Sequence, residues 1–228
     1  MEHPAVAFSP SVNLGFPPTV LRVVPSEPKA TFVPATLLWA ELCQGTKKVV
    51  NFSTEERHIR VVLERRQSPG VSIAGRRLRA LELLFEGMTQ TAIAIELGVA
   101  PSTVCLDLKA AMTSLGIGDR ISALPPFLPQ IRKLAAGCRH VRACAIAHER
   151  ARQVLLLPRL DLALPDALAP AELEVCRLLL DGRSHVQIAA ARRRKARTIA
   201  NQLAAVFAKL KVSGRLELVA QLVRHSSD

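Results

Sequence analysis

From Val71 onward the apolar residues of this chain recur at helical spacing, and the pattern is written twice. In the second writing a stripe of Leu173, Cys176, Leu179 and Leu180 is opened by Pro170 and closed by Gly182. Proline suits a first helical turn and glycine the end of the last one. Ser184 and Gln187 have the spacing of a capping box, which starts a second, short helix running through Ile188. A turn near Arg193 leads into a third helix, Ala196 to Leu210, with Ile199, Leu203, Val206, Phe207 and Leu210 as its buried stripe. Val212, Ser213 and Gly214 break it, and a fourth helix runs from Arg215 to Arg224.

The first writing stands 95 positions earlier (Gly87 against Gly182). Ile93 and Ala94 fall on Ile188 and Ala189, Thr103 on Thr198, and Leu108, Leu115 and Arg120 on Leu203, Leu210 and Arg215. A turn glycine with apolar residues at helical spacing is what two copies of one helical fold share. The fourth helix of the first copy is cut short, because Pro125 and Pro126 follow Leu124.

Ahead of each copy the period shortens. Leu37 to Gln44 reads as a short helix ended by Gly45, and residues 47–53 and 58–66 as two strands around a polar turn. Ile131 to Ala136, closed by Gly137, and residues 138–147 and 151–159 repeat that order, with Leu134 on Leu42 and Gly137 on Gly45. Residues 1–35 are rich in proline and read as a poorly ordered, extended arm. The pattern therefore predicts a mainly α fold with short β-hairpins: two tandem four-helix helix-turn-helix units, each preceded by a short helix and a hairpin. The arm spans 1–35, the first module 36–127 and the second 128–228.

The motifs add a resemblance. L-x-P-x-E-x-E-V-x-x-L-L-x-x-G at 168–182, I-A at 188–189, R-T-I at 197–199 and K-L-x-V-S-x-R-x-E-L-V-A at 209–220 resemble the LuxR-type (GerE-like) DNA-binding domain of bacterial transcription regulators. The first copy shows L-L-F-E-G at 83–87, I-A-I-E-L-G-V at 93–99 and P-S-T-V at 101–104. The resemblance implies a regulator that binds double-stranded DNA and associates with the nucleoid in the cytoplasm. It also implies dimerisation through the fourth helix, at Leu216, Val219, Leu222 and Val223, although the same residues suit packing on the unit's own core equally well. No receiver or autoinducer-binding domain is recognisable beside the modules. The second copy departs from the family turn by placing Arg192, Arg193 and Arg194 where an L-G-I/V run is usual. Ala200 and Cys105 stand where a lysine usually follows T-V.

Charge separates the copies. The chain carries a net +12 with a pI near 10.4, and nearly all of that excess falls after residue 127. A basic half points to a polyanion. In a helix-turn-helix the start of the third helix meets base edges and phosphates. In the second copy Arg192, Arg193, Arg194, Lys195 and Arg197 crowd that position with Thr198 beside them, Asn201 and Gln202 offer amides suited to adenine, and Lys209 lies further along. In the first copy Ser102, Thr103 and Lys109 reach toward phosphate, but Cys105, Leu106 and Asp107 give a neutral, partly apolar face. An outward leucine there suits a protein partner, and an aspartate at the groove is repelled by phosphate. The second module is thus expected to carry most DNA affinity and the first to dock or dimerise. Homodimerisation, an intramolecular pseudo-dimer, and docking to RNA polymerase or another regulator all fit that division. The alternative reading makes both modules degenerate adaptors for protein contact, or nonspecific nucleoid binders.

Other chemistry is not expected. Cys138, His140, Cys144 and His148 spread over roughly 33 Å if they share one strand, too far for one metal ion. No phosphate loop, nucleophile elbow or paired-carboxylate motif occurs, so neither a cofactor nor enzyme activity is expected. No apolar run reaches the roughly 18 residues a membrane span needs, and no basic-then-apolar leader is recognisable. Five dispersed cysteines suit a reducing cytosol.

Overall fold

The computed structural model of the protein describes residues 31–55, 58–118, 124–146, 152–159 and 168–225. In chain order the elements are β1 (Thr31–Pro34), α1 (Ala35–Cys43), β2 (Lys47–Thr54), β3 (His58–Arg65), α2 (Gly75–Phe85), α3 (Gln90–Leu97) and α4 (Pro101–Leu115). They continue with α5 (Phe127–Ala136), β4 (His140–Ile146), β5 (Arg152–Pro158), α6 (Pro170–Leu180), α7 (His185–Ala191), α8 (Ala196–Lys209) and α9 (Arg215–His225).

The two hairpins do not stay with separate modules. Among the described residues the strands form one antiparallel sheet in the order β1-β4-β5-β3-β2. The second strand of each hairpin pairs with the other, from His58↔Pro158 to Glu64↔Arg152, so the junction is centred on Val61↔Leu155. Antiparallel pairing of two like strands places the hairpins about a local two-fold. The helices that precede them, α1 and α5, pack together on the same face of the sheet. A single hairpin is marginal in water; pairing two of them removes two open edges and shares one apolar face. Val61, Leu63, Leu155 and Leu157 on that face are buried under Leu38, Leu42, Phe127 and Ile131.

The expected mainly α pair of four-helix helix-turn-helix units is therefore corrected. The described chain has nine helices and a five-stranded antiparallel sheet, about 56% helical and 18% strand, which is an α+β arrangement with a shared sheet. The end of the proline-rich stretch also joins the fold. Thr31–Pro34 pairs with β4 as an edge strand, where proline costs no ladder bond on its outer side. The rest of that stretch, residues 1–30, lies outside the described residues, as does the linker 119–123 where the first copy's fourth helix was expected to begin.

Two cores result. One joins α1–α5 to the sheet, and the other lies within α6–α9 around Val175, Cys176, Ile188, Ile199, Leu203 and Val206. Helix α9 links them. Its Leu218, Val219, Leu222 and Val223 fill the second core, while Leu216 packs against the first. It also lies on α2 and α5. Gly87, at φ +94, is held so close to α9 that an added Cβ would stand 3.0 Å from the Glu217 Cα. Lys133 of α5 donates to the Val223 and Arg224 carbonyls at the C-terminal end of α9. Arg215 donates to the Leu124 carbonyl at 3.0 Å, and burial pulls its pKa down to about 10.

Candidate nucleic-acid interface

Helix α7 begins as its sequence predicts. The Ser184 hydroxyl accepts from the Gln187 amide at 3.3 Å, and the Gln187 side chain accepts from the Ser184 amide at 2.8 Å. The helix ends in a six-to-one and five-to-two pair of bonds: Arg194 N–H to Ala189 O at 2.9 Å and Arg193 N–H to Ala190 O at 3.2 Å. That geometry requires a left-handed residue, and Arg193 supplies it at φ +50. The first copy closes α3 the same way, through Val99 N–H to Ala94 O at 3.0 Å, with Gly98 at φ +63 in the left-handed place. There α3 and α4 are bent 107° from one another.

The cations of the α7–α8 turn divide into two groups. Arg193, Arg194, Lys195 and Arg197 are exposed and make no ion pair among the described residues. They surround the start of α8, whose N-terminus has no side-chain cap. Positive charge at a helix N-terminus opposes the helix dipole; the same place with free N–H groups is a seat for an anion. Thr198 and Asn201 are exposed beside them.

Arg192 belongs to the second group. It is held inward by Glu174 at 3.0 Å, the Ala171 carbonyl at 3.2 Å and the Gln202 side chain at 3.3 Å. Gln202 is thus engaged within the chain, and its amide is not presented with Asn201. Lys209 is also occupied: its Nζ lies 2.7 Å from Glu172, whose carboxylate accepts from the Ala169 amide at 2.9 Å. The Lys209 hydrogen bond, then the Ala169 amide, hold the Glu172 carboxyl below its usual range.

In the first copy Ser102 and Lys109 are exposed and Thr103 is half-buried. Leu106 is 67% exposed, as an outward position predicts. Asp107 differs from its reading as a residue turned to the groove. It is buried, with Arg76 at 2.8 Å and Arg77 at 3.8 Å. It occupies the place of Gln202; in the first copy this position ties the third helix to the first through Arg76 and Arg77, and in the second it accepts from Arg192 at the end of α7, which pairs in turn with Glu174 of α6. The pattern did not separate this inward position from Leu106 and Asn201 beside it.

The candidate dimerisation residues are all taken up inside the chain. Val219, Leu222 and Val223 are buried and Leu216 is half-buried against the first core. A second chain reaching Leu216 must open the first core, and one reaching Val219, Leu222 and Val223 must open the second. Of the cysteine–histidine set, Cys138 lies in a turn and His140 opens β4, while the Cys144 side chain and His148 lie outside the described residues.

No family model, curated protein or solved structure matches this chain. No single described helix is long and apolar enough to cross a membrane.

Proposed function

We propose that the protein is a DNA-binding transcriptional regulator acting at the nucleoid, with the start of α8 as its duplex-binding element. The observation that carries this reading is the group Arg193, Arg194, Lys195 and Arg197: four exposed cations without acidic partners among the described residues, gathered at an uncapped helix start. Arg193 is held there in a backbone conformation that favours glycine, a local cost that packing does not require. The LuxR-like motifs at 168–220 add support, since they place the same residues at a DNA-facing turn.

The test is a salt titration of duplex binding. Neutralising Arg193, Arg194 and Lys195 together to glutamine should weaken binding and flatten its salt dependence. The slope should fall by about 0.9 for each phosphate that no longer meets a cation, roughly 2.7 in all. Unchanged affinity and slope in that variant would sink the assignment.

A second role belongs to the first module. Ile95 on α3 and Leu106 on α4 are 79% and 67% exposed, and the residues matching the α8 cations are Gly98, Val99, Ala100 and Ser102. This face suits a protein partner of the transcription machinery better than phosphate. Leu106→Glu should abolish retention of RNA polymerase in a nuclease-treated pull-down and leave duplex binding intact; retention unchanged by the substitution removes the role.

A further inference from the structure

The sheet has a second face that neither core uses. In an antiparallel sheet, residues opposite one another share a face, and one row crosses all five strands: Phe32, Arg142, Leu156, Arg60 and Ser53. Helices α1 and α5 pack on the opposite side, the side of Val61 and Leu155. Val62 and Val154, which face each other one step along from this row, are buried yet belong to neither core.

Two properties of this face narrow its partner. The first is charge. Arg142 is exposed and makes no ion pair among the described residues, Arg60 reaches Glu55 at 3.0 Å, both partners being well exposed, and Lys48 and Arg152 share Glu64 at 3.6 and 3.1 Å. The face is net positive, so two copies laid face to face would oppose like charges. The second is Phe32, 71% exposed on an edge strand and directly opposite Arg142. A duplex hides its bases and has no use for such a ring, whereas an unpaired strand offers flat bases and phosphates together. Stacking on an exposed aromatic beside backbone-tracking cations is how single strands are held without sequence preference. The row contributes one side chain able to accept from a ribose 2′-hydroxyl, Ser53 at the far strand, away from Phe32 and Arg142.

We propose that the exposed β1–β4 end of this face binds single-stranded DNA, with Phe32 as the stacking residue and Arg142 as the principal phosphate contact. The site is separate from the start of α8 and stands or falls independently of the duplex-binding reading.

The test measures fluorescence anisotropy of the full chain with labelled oligothymidylate of about 20 nucleotides. Phe32→Ala should weaken binding about tenfold, and Arg142→Gln should weaken it several-fold and lower the salt slope by about 0.7. Both residues are exposed, so both variants should keep the parent's unfolding midpoint. Phe32→Trp should retain affinity and show quenching on binding; the native Trp39 is buried and serves as the internal reference. The variant with Arg193, Arg194 and Lys195 neutralised should bind oligothymidylate as the parent does, even where it has lost duplex. Oligothymidylate affinity unmoved by Phe32→Ala and Arg142→Gln, or lost with the α8 cations, overturns the proposal. Preference for oligouridylate over oligothymidylate overturns it as well.

Discussion

At the scale of single residues, the two copies differ most where a helix ends. In the first copy Gly45, Gly98 and Gly116 sit at φ +70, +63 and +82 after α1, α3 and α4. In the second, Arg193 and Lys211 take the matching places at φ +50 and +54, and after α5 the left-handed residue is Cys138 at +52, one position beyond the Gly137 that the pattern sets against Gly45. Each substitution for glycine costs on the order of 1 kcal/mol. Arg193→Gly should therefore raise stability by about 1 kcal/mol in urea denaturation while weakening duplex binding. A variant that becomes less stable, or that binds DNA as the parent does, contradicts the role given to this arginine. Arg192 makes the opposite case. Arg192→Ala should lower stability by about 1 kcal/mol, because Glu174 and Gln202 are left without their arginine, and leave the salt slope of DNA binding unchanged. In the sequence these are neighbouring members of one basic run. Which of them turns inward depends on where α6 passes, and spacing along the run does not carry that.

At the scale of elements, most helix positions were legible because caps and breakers are local. The Ser184–Gln187 box, Pro170 at the start of α6 and Gly182 after its end all stand as the pattern places them. The strands were legible as strands, yet their partners were not. Val61, Val62 and Leu63 run unbroken and are all buried, as in an inner strand, yet nothing in them says that β5, nearly a hundred residues on, will lie on the other side of β3. Helix α9 shows the same limit. Its apolar positions fit a dimer interface equally well, and the choice is made by distant groups: Gly87, Lys133 and Leu124. Gly87→Ala adds a methyl 3.0 Å from the Glu217 Cα and 3.2 Å from the Ala220 Cβ at a positive φ. It should cost more than about 1 kcal/mol and speed amide exchange in α9. Gly182→Ala, with the Phe52 ring 3.7 Å away, meets only the backbone strain, so α9 protection should survive it. Acid should also loosen α6 and α9. The Lys209 hydrogen bond lowers the Glu172 carboxyl from 4.5, and the Ser213 amide and hydroxyl lower that of Glu217. Carboxyls depressed on folding stabilise fully above their ordinary value and lose that contribution as pH falls through the lowered one. Amide exchange followed from pH 6 to about 3 should therefore show the first turns of α6 and α9 opening below 4.5, and Lys209→Met should reduce the effect at α6, leaving the share of the Ala169 amide.

At the scale of the whole molecule, the repeat builds two kinds of relation. In the sheet the copies are near-symmetric and joined: β3 and β5 pair about Val61 and Leu155, and α1 lies on α5. Beyond the sheet they diverge, since α6–α9 closes a core of its own whereas α2–α4 shares the core of α1, α5 and the sheet. The molecule thus has two cores bridged by α9, and the proposed duplex site belongs wholly to the second. Leu155 and Leu203 are both almost fully buried, one in each core. Truncating either to alanine should cost about 2–5 kcal/mol. If the cores melt separately, calorimetry of Leu155→Ala should move one transition and calorimetry of Leu203→Ala the other. Duplex binding on heating should be lost with the transition that Leu203→Ala shifts. A single transition displaced equally by both substitutions would show that the α9 bridge is strong enough to make the two cores one unit, and would leave no thermal window in which the sheet works without α8.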